Sequence, residues 1–170
     1  MSHSRERPDF VRHHTEIERP EGEGDLRATI ARFGRALGLS RLGINQEIVP
    51  PGCRTSTPHA HSLEEEFVFV VEGRPDLWVD GELHPLRPGD GIAFPAGTGI
   101  AHCLINNTDG AVRLLIVGEN VPGDRVAYPI DPDQRRPEDD WPDAPRRPLG
   151  PHNGRADTPA PLSLRNDTAG

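Results

Sequence analysis

Pro58-His59-Ala60-His61-Ser62-Leu63-Glu64-Glu65-Glu66-Phe67-Val68-Phe69-Val70-Val71 is the stretch from which the rest of the chain can be read. Side chains alternate across a strand, so His59 and His61 share a face and can direct both imidazoles at a single ion. Ser62 to Glu65 are polar or turn-compatible and let the chain reverse before Glu66 opens a second strand. On that strand Glu66, Val68 and Val70 share a face. A carboxylate heading an apolar inward row is costly unless it is paired or binds a metal. Further along, His102 falls inside Ile100-Ala101-His102-Cys103-Leu104-Ile105, again a strand interior. Three neutral imidazoles and one carboxylate leave positions open on an octahedral ion, which suits catalysis better than a purely structural role. His59, His61, Glu66 and His102 are therefore the candidate metal ligands.

Working outward, short apolar runs recur about every ten residues with turn signals between them, the pattern of an all-β sandwich or barrel. Strands are expected near Leu42–Ile48, Arg54–His61, Glu66–Val71, Asp76–Val79, Glu82–Leu86, Asp90–Phe94, Ile100–Asn106 and Val112–Val117. Asp80-Gly81 between Leu77-Trp78-Val79 and Glu82-Leu83-His84 signals a two-residue hairpin, because both turn positions favour φ > 0. Pro50-Pro51-Gly52, Arg87-Pro88-Gly89 and Pro95-Ala96-Gly97 end the neighbouring strands. Helical periodicity is nearly absent, and Leu26–Leu37 is the one ambiguous window. The expected organisation is an N-terminal arm over 1–25, a β-barrel over 26–130 and a Pro-rich tail over 131–170. Composition makes the tail a disorder candidate, or a segment draped over the barrel or a partner subunit.

The chain has 170 residues with 19 Lys+Arg, 27 Asp+Glu and a formal charge of −8. All the basic residues are arginine, which excludes a Schiff-base lysine, a pyridoxal-phosphate site and a P-loop. An acidic balance without a basic cluster argues against nucleic acid and anionic membranes as partners. The longest uninterrupted apolar run, Phe67 to Val71, is far short of the ~20 residues that span a bilayer. Met1-Ser2-His3-Ser4-Arg5 leads into no apolar segment of the secretory kind, and Cys53 and Cys103 lack metal or redox spacing. A cytoplasmic location with both thiols reduced is the expectation.

Gly52 through His59, His61 and Glu66 to Gly73 resembles the first cupin motif, G-x5-H-x-H-x3,4-E-x6-G. Gly89 through Pro95, Gly97 and His102 to Asn106 resembles the second, G-x5-P-x-G-x2-H-x3-N. The chain departs from these in two places. Six residues rather than five precede His59, and Thr98-Gly99-Ile100-Ala101 puts four residues where the second motif has two. The spacing to Gly73 selects Glu66 over Glu64 or Glu65. Val121 to Pro129 is similar to the continuation found in small single-domain bacterial cupins of the type-2 class.

The resemblance implies a double-stranded β-helix (jelly-roll) barrel holding one divalent transition-metal ion: Mn, Fe, Ni, Cu, Co or Zn. It also implies a metal-dependent enzyme on a small polar or anionic metabolite, with dioxygenation ranked first and isomerisation or decarboxylation next. The alternative is a non-catalytic metal-containing module that binds a sugar or organic acid. Glu66 is the expected catalytic carboxylate, either as a ligand alone or as a group that leaves the metal and moves a proton. A homodimer is expected, since edge strands and irregular ends need covering.

The remaining candidates have blander readings. Cys103 follows His102 on its strand, faces away from the metal and reads as a small core hydrophobe. Arg54 and Arg113 read first as exposed outer-face arginines and second as forks for an acidic substrate. His84 reads as solvated, His3, His13 and His14 as a surface arm, and His152 as exposed unless the tail folds over the mouth. Asn106 is expected to fix backbone, and a Cys–Tyr crosslink would have to use Tyr128, the only tyrosine.

Overall fold

A computed structural model describes residues 7–131, 141 and 147–157. Eleven strands are assigned in chain order among them. They are β1 (Glu18–Glu21), β2 (Ala28–Arg32), β3 (Leu42–Val49), β4 (Ala60–His61), β5 (Glu66–Glu72) and β6 (Asp76–Val79), followed by β7 (Glu82–Pro85), β8 (Gly91–Phe94), β9 (His102–Ile105), β10 (Val112–Glu119) and β11 (Val126–Ala127). Two single helical turns, α1 (His14–Ile17) and α2 (Phe33–Ala36), accompany them. All pairing is antiparallel: a six-stranded sheet β1-β2-β3-β10-β5-β8, a three-stranded sheet β7-β6-β9 and a two-stranded pair β11-β4. This is the all-β jelly roll expected.

The Asp80-Gly81 turn joins β6 to β7 with φ of 47° and 94°, and Asp80 is the only non-glycine residue with positive φ among those described. Alternation then decides what faces inward. Val49, Val68, Val70, Leu77, Phe94, Leu104, Val112 and Leu114 pack between the large and the three-stranded sheets as one buried cluster. A second cluster, Trp78, Cys103, Ile105, Ala60 and Ala101, lies on the other face of the three-stranded sheet, with Ile130 and Ala156 against it.

The structure departs from the expected elements in three places. The Arg54–His61 run is a strand only at its last two residues; Pro58 has no N–H, and on either side of it Arg54 and His59 form isolated bridges to Ile105 and His102. The ambiguous Leu26–Leu37 window splits into β2 and α2, so its periodicity mixes two conformations. Within the expected arm, Glu18–Glu21 is a full edge strand paired with β2.

Part of the Pro-rich segment is laid on the barrel. Gly150 N–H donates to Asp80 O at 2.7 Å, His152 N–H to Gly81 O at 3.1 Å, and the buried Trp78 Nε1–H to His152 O at 2.9 Å. Residues 1–6, which include His3, together with 132–140, 142–146 and 158–170, lie outside the described residues.

Candidate functional site

His59, His61 and His102 converge because two backbone pairings bring them there. His59 and His102 exchange N–H···O bonds of 3.2 and 2.9 Å, and β11 pairs Val126 with His61. The ring centroids lie 4.9 Å apart for His59–His61 and 5.0 Å for His59–His102. The ligand-capable atoms of His59, His61 and Glu66 all fall within 4.8 Å of one another. His102 joins through Glu66, with Nε2 3.4 Å from Oε1. The four residues singled out from the sequence thus stand together, and His102 is 2% exposed and stacked on Phe94 at 3.4 Å between centroids.

The outward nitrogens of all three imidazoles are held. His59 Nδ1 lies 2.8 Å from Thr57 O, His102 Nδ1 3.2 Å from Ile100 O, and His61 Nδ1 2.6 Å from Asp124 Oδ2. A carbonyl only accepts, so these contacts place the proton on Nδ1 and leave the Nε2 lone pair free. Burial, reinforced by His102 and His61, pushes the His59 pKa down to about 4, so the ring is neutral at pH 7. Burial alone would raise the Glu66 carboxyl, but His102 with His59 and His61 outweighs it and holds the group below its ordinary value. His102 Nε2 is buried and has no hydrogen-bond partner. An orphaned imidazole nitrogen beside an ionised carboxylate is what a nitrogen-rich ligand set for a divalent ion looks like. Among the described residues this donor set fits such an ion.

Two acidic residues, Asp124 and Glu47, escaped the sequence reading, and a third, Glu64, entered it only as a rejected ligand. Asp124 accepts from His61, from Ser62 Oγ at 3.0 Å and from the Leu63 and Glu64 N–H groups at 2.7 and 3.3 Å, so it holds the whole turn between β4 and β5. Burial opposes its ionisation, but the His61 bond and these donors hold its pKa below the usual carboxylate range. Glu64 lies over Gly118, where an added Cβ would meet its Oε1 at 2.3 Å. Burial chiefly, then neighbouring carboxylates, push its pKa up to about 7 against the pull of His61.

Glu47 is 8% exposed, and burial followed by the field of Glu66 raises it to about 7. It carried a signal that was available: in Asn45-Gln46-Glu47-Ile48-Val49 alternation puts Glu47 on the inward face with Val49, the criterion that had selected Glu66. Nothing local marks Asp124, which meets His61 from 63 positions away.

Hollows adjoin the cluster on several sides, one of about 340 Å³ between Glu66, Phe67 and Phe94. Glu64 and Glu66 open onto a cleft of about 1140 Å³ bounded by the N-terminal segment, α2 and the inner faces of β2, β3 and β10. His59 and His61 line a separate pocket of about 310 Å³ with Thr57, Val126 and Tyr128, whose ring centroid is 6.2 Å from that of His59.

The other candidates lie elsewhere. Arg54 is neither exposed nor a substrate fork. It is 3% exposed, donates to Gly154 O at 2.9 Å and sits 3.1 Å from Asp25, because the tail covers it. Arg113 faces Glu72 at 3.5 Å, away from the cluster, and His84 is exposed. His13 caps α1, His14 pairs with Glu18, and His152 serves Trp78 and Asp157. Cys103 is a buried core residue whose thiol is pushed up to about 12 by burial. Asn106 donates to Val49 O and Gly110 O, both at 2.8 Å, and so does fix backbone.

Comparison with known proteins locates this arrangement. The family model described as Cupin domain matches residues 45–118. A polyketide synthase, CurC of Streptomyces cyaneus, is 43% identical over 94 residues, 54% of this chain and 56% of that protein. Quercetin 2,3-dioxygenase of Bacillus subtilis is 30% identical over 102 residues, 57% of this chain and 30% of that one. The chain therefore spans under two thirds of either relative. A sugar phosphate isomerase structure from Silicibacter pomeroyi superposes with a TM-score of 0.59 at 37% identity, covering 66% of this chain and 74% of that one.

Proposed function

The chain belongs to the cupin family, and from that premise we propose that it is a metal-dependent enzyme acting on a small oxygen-rich metabolite, with His59, His61, Glu66 and His102 holding one divalent transition-metal ion. The observation that carries this reading is the commitment of all three Nδ1 atoms to fixed partners, which leaves the Nε2 atoms as available ligand atoms beside the Glu66 carboxyl. Bound there, the ion would supply a Lewis-acid or redox centre for a substrate oxygen.

The chain's own groups do the rest. Asp124 orients His61, Thr57 O and Ile100 O orient His59 and His102, and Phe94 packs flat against the His102 ring. Glu64, which lines the cleft beside Glu66, is the carboxyl placed to take and return a proton. That favours a proton-shifting reaction at a carbonyl carbon, isomerisation or ring closure, in keeping with relatives named as a sugar phosphate isomerase and a polyketide synthase. Dioxygenation is the second reading, favoured by the dioxygenase relative. A homodimer in a reducing cytoplasm completes the proposal. Phe67 and Val71, 42% and 44% exposed, project from the outer face of the large sheet, and both cysteines are buried thiols.

Elemental analysis of tag-free protein beside His102→Ala tests the metal site, with oxygen uptake measured on whatever metal is retained. Stoichiometric metal lost in the variant is expected. Manganese or zinc without oxygen uptake supports the proton-shifting reading; iron, copper or nickel with uptake moves it to dioxygenation. Wild type and variant both empty after reconstitution would overturn the metal site.

A further inference from the structure

Asp80 is the only non-glycine residue at positive φ among those described, 47°, a conformation that glycine adopts more easily. Its carboxylate gives the reason an acid stands there. Asp80 and Ala101 face one another one step beyond the last β6–β9 pair, Val79 with His102. In a regular antiparallel ladder two such residues exchange both backbone bonds. One of these is made: Asp80 N–H donates to Ala101 O at 3.0 Å. The other is replaced, since Asp80 O accepts from the tail's Gly150 N–H at 2.7 Å. Ala101 N–H donates to Asp80 Oδ1 at 3.0 Å instead, so the side chain stands in for its own carbonyl. Ala101 is 1% exposed, and a buried N–H needs such a partner.

Ala101 N–H and Ile100 C=O belong to one planar peptide group. That carbonyl is the partner of His102 Nδ1, at 3.2 Å. Asp80 therefore grips one edge of the plane whose opposite edge sets the His102 imidazole. A charged acceptor on the N–H also polarises the peptide and strengthens its carbonyl as an acceptor. The loop leading into this plane is tied down as well. Thr98 Oγ1–H donates to Pro95 O at 3.0 Å. Arg147 Nη2–H donates to Thr98 O at 2.9 Å, with Nη1 3.9 Å from Asp80 Oδ2. These are the residues Thr98-Gly99-Ile100-Ala101, four where the second cupin motif has two. His61 meets its carboxylate, Asp124, directly, whereas His102 meets one through a peptide.

We infer that Asp80 is a positioning residue for the candidate metal centre: through the peptide between Ile100 and Ala101 it fixes the His102 ring with the proton on Nδ1 and Nε2 turned to Glu66. This deepens the proposed function. It rests on that reading for the ion, but not for the state of the ring.

The full chain is followed metal-free by proton–nitrogen NMR of the imidazole nitrogens, and its cobalt(II) affinity is measured by chelator competition. Asp80→Gly keeps the turn conformation and removes the acceptor. His102 should move from the Nδ1–H form toward a mixture with Nε2–H, while His59 and His61 keep theirs. Cobalt(II) affinity should fall about tenfold, the low end for losing a group that orients a ligand. Asp80→Asn keeps an Oδ1 acceptor without the charge, so a smaller shift of the same sign and most of the affinity are expected. An unmoved His102 signal in Asp80→Gly, an unchanged cobalt(II) affinity, or equal shifts at all three histidines overturns the assignment. Thermal denaturation checks folding. Should Asp80→Gly fail to fold, a shift confined to His102 in Asp80→Asn upholds the relay, and its absence overturns it. A wild-type chain that binds no cobalt(II) defeats the metal reading and leaves the His102 signal to decide this one, so the two fail separately.

Discussion

The wall that carries the histidines and the wall of β2 and β3 across the mouth are built on opposite terms. On the first, each imidazole has its outer nitrogen tied, and Asp124 alone accepts four bonds within the turn that follows His61. On the second, Glu47 Oε2 has no partner and Asn45 is open to the cleft. The same side chain behaves oppositely on the two walls: imidazoles hold the Glu66 carboxyl down, while burial lifts Glu47 to about 7. One wall ties its polar groups within the chain; the other leaves Glu47 Oε2 buried without a partner.

The largest break in this contrast should come from behind the histidine wall. Trp78 is fully buried, pairs in register with Cys103 next to His102, and is capped by the tail carbonyl of His152. Trp78→Ala should cost about 3–5 kcal/mol in urea unfolding. A loss below ~1 kcal/mol would mean that the tail and this cluster do not brace the wall.

Next comes the opposite wall. Glu47 titrates at about 7 in the fold against an ordinary 4.5, so the folded chain binds its proton more tightly than the unfolded chain does. Its stability contribution is whole below about pH 4.5 and falls as the pH rises to about 7. Glu64 shifts in the same direction. In metal-free protein, Glu47→Gln should remove up to ~3 kcal/mol of that decline, read as a flatter pH profile of melting. An unchanged profile would refute the buried, unpartnered state.

Asp124→Ala frees His61 and should lower metal affinity about 10–100-fold in chelator competition, with little change in fold. Equal affinity would reduce Asp124 to a turn residue. The smallest effect is expected for Arg113→Ala. Its partner Glu72 is largely exposed, so stability should stay within about 0.5 kcal/mol and metal content should not change.

Much of this contrast can be read from the residues alone. Alternation at Glu66, Val68 and Val70, the Asp80-Gly81 turn and two spaced motifs sufficed for the barrel and for bringing His59, His61, Glu66 and His102 together. The same alternation marked Glu47, but a lone acid in an apolar strand with no motif around it was passed over. Arg54 was misjudged because its flanking residues are polar and its cover comes from Gly154, 100 positions away.

Strand identity, turn type and the facing of side chains follow from the sequence by itself, because steric alternation and positive-φ preferences act between near neighbours. The tertiary structure alone decided that Asp124 orients His61, that the tail shields Arg54 and Trp78, and that Glu47 Oε2 is buried without a hydrogen-bond partner. Those outcomes depend on which distant segments meet and on how much water is removed when they do. Burial and long-range hydrogen bonding have no local signature in the chain.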